Sequence, residues 1–208
     1  MKGLILKDLY MAVKYLRSYF LLIGVFLAVS WANGDSAFFM VYPCMLGGMI
    51  PVTLMAYDER SKWEVYAGTL PCTRAQLVSA KYIIGLMAQG TILVLSALVQ
   101  GLRMVFTDGF SWDAYLTLMG MLLCLSCISG AITPPFMFRN GVEKGRMAYY
   151  VTIGVLCGGS VVFSSLFRGV VLAEISLNGS LPVLCLVCVG LYALSWWLSI
   201  RFYEKREL

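Results

Sequence analysis

The sequence predicts an all-α membrane protein: six transmembrane helices, an amphipathic interfacial helix at the N-terminus, and a short helix in the first inner loop. Three observations carry that prediction. Of 208 residues, 60% are hydrophobic and only 13% charged, against about 45–50% and about 25% in soluble domains. The charges are spaced so that they leave six long uncharged windows. The basic residues fall almost wholly on one side of those windows.

So few charges cannot cover the exterior of a water-soluble fold, and the mean hydropathy of +0.82 agrees. A soluble enzyme, a disordered tail and a nucleic-acid module are excluded. The uncharged windows are 18–34, 36–57, 82–102, 114–138, 147–167 and 175–200. Each approaches or exceeds the roughly 20 residues that a helix needs to cross a bilayer. None shows the alternation of a transmembrane strand. The expected spans are therefore about 18–34, 36–57, 82–102, 114–138, 147–167 and 180–200, in one domain covering 1–208.

An even number of spans puts both termini on one side. Of the 16 Lys and Arg, only Arg103 and Arg168 lie on the other side, so the termini are expected in the cytoplasm and the protein in the plasma membrane. The net charge of +5 reads as a topology signal, with no nucleic-acid partner implied. Trp31, Phe110 and Trp112 on one side, and Tyr15, Tyr57, Trp63, Tyr82, Tyr149, Tyr150, Trp196, Trp197 and Tyr203 on the other, sit where interfacial aromatic belts form.

Along the chain, residues 1–17 place Ile5, Leu9, Ala12, Val13 and Leu16 on one helical face and Lys7 and Lys14 on the other. Such a helix is expected to lie in the headgroup plane with its lysines toward anionic lipid. Cleavage of residues 1–33 as a signal peptide is not expected, since the charged lead is long for that role and five spans would remain. Residues 33–36 and 107–113 read as tight outer turns. Residues 168–181 are semi-apolar yet too short to span, which suggests a re-entrant piece. Asn178-Gly179-Ser180 matches a glycosylation acceptor but reads first as a turn.

The second window contains Pro43, Gly47, Gly48 and Pro51. Prolines free backbone carbonyls and glycines allow close helix approach, so this span is either a kinked pathway or dimer-interface helix or a packing kink. Thr133-Pro134-Pro135 is expected to break the fourth span. Gly154-x-x-x-Gly158 is a packing motif in the fifth.

Much chemistry is absent. There is no histidine, no P-loop, and no charge inside the windows for an ion relay. The pairs Cys124/Cys127 and Cys185/Cys188 have C-x-x-C spacing. Four thiolates around zinc would carry net negative charge into hydrocarbon, so these cysteines read as small hydrophobes. No catalytic, metal or cofactor residues are expected.

The inner loop, 57–82, opens with Asp58 and Glu59, acids suited to a helix N-terminus. A short helix follows, with Trp63, Tyr66, Ala67 and Leu70 on one face, and Pro71 ends it. Thr73-x-x-Gln76 has the form of a capping box that starts the third span. The run YDERSKWEVYAGTLPCTRAQLVSAKY, with the opening MKGLILKDLY, resembles the small permeases of the type-2 ABC exporter family, most like those of Gram-positive bacteria. Tyr57, Asp58, Glu59, Lys62, Trp63, Leu70-Pro71, Arg74, Lys81 and Tyr82 carry the resemblance.

The resemblance implies a permease that dimerises, with itself or with a second permease, and binds cytoplasmic ATPase subunits. ATP and Mg would be held by those partners, and no cofactor by this chain. The loop 58–73 would hold a cytoplasmic coupling helix, with Asp58, Glu59, Arg60, Lys62, Trp63, Tyr66, Leu70 and Pro71 meeting the ATPase. Residues 1–17 would be the family's connecting helix, and 168–181 its re-entrant cap. Uncharged windows suit export of amphipathic peptides or other hydrophobic compounds. The substrate-binding membrane subunit of a vitamin importer, or a non-transport immunity factor, is the alternative. The importer subunit would not need so long an amphipathic inner loop.

Overall fold

A computed structural model describes the backbone of residues 2–33, 37–69, 71, 73–106, 111–166 and 177–204, with the side chains of these other than 2, 33, 37, 38, 64, 140, 156–166 and 177–182. Every element there is a helix: α1 (Lys2–Tyr15), α2 (Arg17–Asn33), α3 (Ala37–Arg60), α4 (Trp63–Ala67), α5 (Arg74–Phe106), α6 (Trp112–Asn140), α7 (Val142–Leu166) and α8 (Leu177–Glu204).

The described residues of each uncharged window lie on one helix. Backbone groups in lipid have no water to bond, and a helix satisfies them within the segment. Four helices among the described residues are long and apolar enough to span by themselves: Phe39–Arg60, Arg74–Phe106, Trp112–Arg139 and Val183–Glu204. A fifth span arises if Gly3–Tyr15 and Arg17–Ala32, bent by 67°, are one broken span. Among the described residues four to five candidate spans are thus supported; the sixth expected span is not. The second half of α7 lies among the side chains not described.

The boundaries correct the expectation at the inner loop. Asp58 and Glu59 do not open the loop helix; they occupy the end of α3, which runs on to Arg60. The loop helix is only Trp63–Ala67, shorter than the expected run to Pro71. Leu70 and Cys72 lie outside the described residues, as do 34–36, 107–110 and 168–176 from the expected turns and re-entrant piece. Asn178-Gly179-Ser180 opens α8 and is not a turn.

α3 is the centre of the bundle and packs against α2, α5, α6 and α7, while α6 and α8 form the most extensive pair. Lipid supplies no hydrophobic drive between helices, so close packing and interhelical hydrogen bonds hold them. Pro43, Gly47, Gly48 and Pro51 are all buried within the chain. A Cβ on Gly48 would come 2.7 Å from Ser129 Oγ on α6, and one on Gly47 2.7 Å from Ile92 Cδ1 on α5. These glycines let α3 approach two neighbours at once.

Most polar side chains in the interior find partners within the bundle; Ser96 Oγ is buried without a hydrogen bond. Pro134 and Pro135 stay inside α6 and do not break it. Pro135 cannot bond the Ala131 carbonyl, and Ser195 Oγ of α8 donates to that oxygen instead. Tyr82 OH of α5 lies 2.8 Å from Ser195 Oγ and 2.7 Å from Ser199 Oγ, and Trp196 stacks on the Tyr82 ring at 5.4 Å. Gln89 Nε2 donates to the Ser126 carbonyl at 3.0 Å. Tyr149 OH of α7 donates to the Met45 carbonyl of α3.

Replacing Gly48 with Val is expected to force α3 from α6 at a cost of about 1–3 kcal/mol, read as a lower melting temperature in detergent. Gly90→Ala, on α5 with nothing within 4 Å of the added methyl, is expected to match or exceed the wild type.

Candidate functional site: the anchored loop between α3 and α5

Four charged side chains from three helices meet at the end of the bundle that carries the 61–73 loop. Lys7 and Asp8 come from α1, Asp58 from the end of α3, and Lys81 from α5. Lys7 Nζ lies 2.7 Å from Asp58 Oδ1 and 3.2 Å from Asp8 Oδ1. Lys81 Nζ lies 2.7 Å from Asp8 Oδ2 and also pairs with Asp58 Oδ2. Each ammonium touches both carboxylates, so the ring is closed and electrically neutral. It is also largely buried: the side chains of Asp8, Asp58, Lys81 and Lys7 are 2%, 8%, 11% and 24% exposed.

A buried ion pair gains little net stability over an apolar one, but breaking it strands a charge at a cost of about 3–5 kcal/mol. The ring therefore fixes geometry more than it adds stability. The lysines also oppose the unfavourable placing of Asp58 at a helix C-terminus, which lets α3 run past it. A cavity of about 50 Å³ adjoins the ring, bounded by Leu4, Met55, Leu77, Met137, Phe138 and Tyr203 among others.

The turn out of α3 follows from the same anchor. Lys62 takes the left-handed conformation, φ 54°, as a residue just past a helix end often does. That turn carries Trp63 back over α1, where Lys7 Nζ sits 4.0 Å from its ring centroid. Lys7 is thus turned into the protein, not toward lipid as its place in the sequence suggests. The α1 stripe also differs from expectation. Ala12 and Leu16 are buried, but Leu9 and Val13 face outward with Leu6 and Tyr10, and the inward face includes Asp8.

Both flanks of the loop hold neighbouring helix ends. Val142 N, at the start of α7, donates to Glu59 Oε2 at 3.2 Å. This satisfies an orphan amide and sets an acid at a helix N-terminus. Downstream, the backbone N of Gln76 donates to Thr73 Oγ1 and that of Thr73 to Gln76 Oε1, both at 3.3 Å; this is the reciprocal capping box its spacing predicts. Arg74 Nη1 donates to the Glu204 carbonyl at the end of α8, at 3.0 Å.

Between these anchors the outer face of the loop is open. Arg60, Lys62 and Pro71 are exposed, as are Val65 and Tyr66 (74% and 58%), whereas Ala67 is buried. Trp63 is half-buried, with its ring 5.3 Å from that of Tyr66. The residues singled out from sequence thus divide. Asp58 and Trp63 face the protein, Glu59 is exposed but turns its carboxylate to the start of α7, and Arg60, Lys62, Tyr66 and Pro71 face outward. Asp8 escaped notice, although an acid set between Ile5 and Ala12 on an apolar helix face is a signal for a buried partner.

The cysteine pairs do approach each other: Cys124 Sγ on α6 lies 3.9 Å from Cys185 Sγ on α8. Among the described residues no group of three or more His, Cys, Asp or Glu is arranged to hold a metal ion.

Lys81→Met leaves two buried carboxylates with one half-exposed lysine, and is expected to destabilise by about 3–5 kcal/mol. Lys7→Met should cost less, since Lys81 still bridges both acids. Melting temperatures of the purified variants check the order.

Residues 3–204 match the family model described as ABC-2 family transporter protein. No curated protein and no solved structure matches the chain. The family match covers nearly the whole chain, the spans and the anchored loop included, so the chain belongs to the ABC-2 family of transporter proteins, a multi-pass membrane permease of an ABC transporter.

Proposed function

We propose that the chain is the permease subunit of an ATP-driven exporter, which forms the translocation pathway as a dimer and takes its motion from a separate ATPase through the 58–73 loop. One observation carries this reading beyond the family: the loop is rigid at its base and open on its outer face. Asp58, Glu59, Arg74 and Lys81 tie its flanks to α1, α7 and α8, while Val65 and Tyr66 stand exposed. A loop that only joined two helices would need neither. A push on α4 passes through the ring to three helices as one body, as a rigid-body transition requires.

Within this reading the site residues take two roles. Tyr66 is the aromatic anchor for the ATPase, and Arg60, Lys62, Leu70 and Pro71 are assigned to the same contact. Asp58, Glu59 and Trp63 hold the loop from below. Pro43, Gly47, Gly48 and Pro51 shape α3 as the central helix of each subunit. The basic ends, and with them both termini, lie in the cytoplasm, and α1 runs along the inner membrane surface. ATP and Mg stay on the partner. The uncharged windows favour amphipathic peptides or other hydrophobic compounds as cargo.

Tagged permease extracted in mild detergent should bring down a P-loop ATPase. The pair Val65→Asp and Tyr66→Ala should weaken that capture on the order of tenfold or more, with the melting temperature unchanged because both side chains are exposed. Recovery of no ATPase with the wild type, or equal recovery with the variant, rejects the reading.

A further inference from the structure

α6 and α8 pack along much of their length but leave a groove of about 370 Å³ between residues 128–139 and 191–202. That volume is in the range of small-ligand sites. Its walls are apolar and face outward: Phe136, Leu191 and Leu194 are 47%, 51% and 55% exposed. Only Ser195 and Arg139 among the lining residues are polar. The Ser195 hydroxyl is already committed to the Ala131 carbonyl and Tyr82, so the groove offers no hydrogen bond along its length. Arg139 stands at the end nearest the loop, its guanidinium 5.4 Å from the Phe202 ring centroid. It has no acidic partner among the described residues. Arg201, near the same end of α8, lies 4.3 Å over the Trp197 ring.

We propose that this groove binds a phospholipid, with one acyl chain between α6 and α8 and an anionic headgroup on Arg139. The complement of such a groove is a flexible hydrocarbon chain that asks for no polar partner and ends in a negative charge. A guanidinium receives a phosphate through two parallel N–H donors, and its weak hydration makes desolvation at the headgroup level cheap. A zwitterionic lipid would set its ammonium beside Arg139 and Arg201. A peptide segment would leave its own amides unpaired against these walls. Basic pockets between helices recognise anionic lipids by the same balance. The site is separate from the loop and does not depend on which partner the loop meets.

The test is lipid retention by the purified permease. Protein would be extracted and washed in detergent, then equilibrated with dioleoyl phosphatidylglycerol, dioleoyl phosphatidylcholine or inorganic phosphate, and bound lipid counted by native mass spectrometry. The wild type is expected to keep phosphatidylglycerol in preference to phosphatidylcholine and to ignore phosphate. Arg139→Gln should lower phosphatidylglycerol retention roughly fivefold without changing phosphatidylcholine. Leu194→Trp, which fills the groove from an exposed position, should lower both while the melting temperature holds. Equal retention of the two lipids, an Arg139→Gln variant that keeps its phosphatidylglycerol, or protection by phosphate alone would overturn the proposal. So would a Leu194→Trp variant that changes oligomeric state with its lipid content intact, since the groove would then be a contact between copies.

Discussion

The closed ring of Lys7, Asp8, Lys81 and Asp58 is the constraint on which the loop-bearing end of the molecule depends. Two carboxylates and two ammoniums balance there, with only Lys7 partly open to solvent. Because each partner needs both neighbours, no helix of the three can shift alone without stranding a charge. The ring sets where α3 ends, and hence where the turn at Lys62 begins. Through Lys7 it also fixes Trp63. Glu59 and Arg74 extend the same arrangement to α7 and α8 through hydrogen bonds.

Away from that end, the bundle relies on a different balance. Lipid offers no hydrogen bonds, so interior polar groups gain by pairing within the chain. Tyr82, Ser195 and Ser199 join α5 to α8, and the carbonyl that Pro135 leaves open is taken up by Ser195. Gly47 and Gly48 bring α3 within van der Waals contact of α5 and α6. The bundle is therefore specific in its middle through close approach, and specific at the loop through charge.

Much of this was legible in the residues alone, and the reasons are physical. Uncharged windows mark helices because lipid excludes charge, and the capping box at Thr73 and Gln76 is a purely local signal that the geometry repeats. The family was legible in the loop from Tyr57 to Tyr82. The boundary at Asp58 was not. Local rules place acids at a helix start, and tertiary charges on α1 and α5 overrode them. Lys7 misled for a related reason: a lysine on the polar face of a short helix has two possible anions, lipid or protein, and sequence spacing does not choose between them. The Pro134-Pro135 pair read as a break because the donor to the carbonyl that Pro135 leaves open is Ser195, which is 60 residues beyond Pro135 in the chain. The 67° angle between α1 and α2 at Leu16 was not legible either, since nothing in the sequence sets it.

The central claim is that the ring couples α1 to α5 as one body, and the pair Asp8 and Lys81 tests it most directly. A double-mutant cycle with Asp8→Asn, Lys81→Met and the double variant, read by thermal stability of the purified permease, gives the coupling between them. The ring predicts that the double variant is more stable than the sum of the two single losses, by an interaction energy on the order of 1–3 kcal/mol. Additive losses would show that the two charges stand apart, and that α1 is not held to the base of the loop in this way.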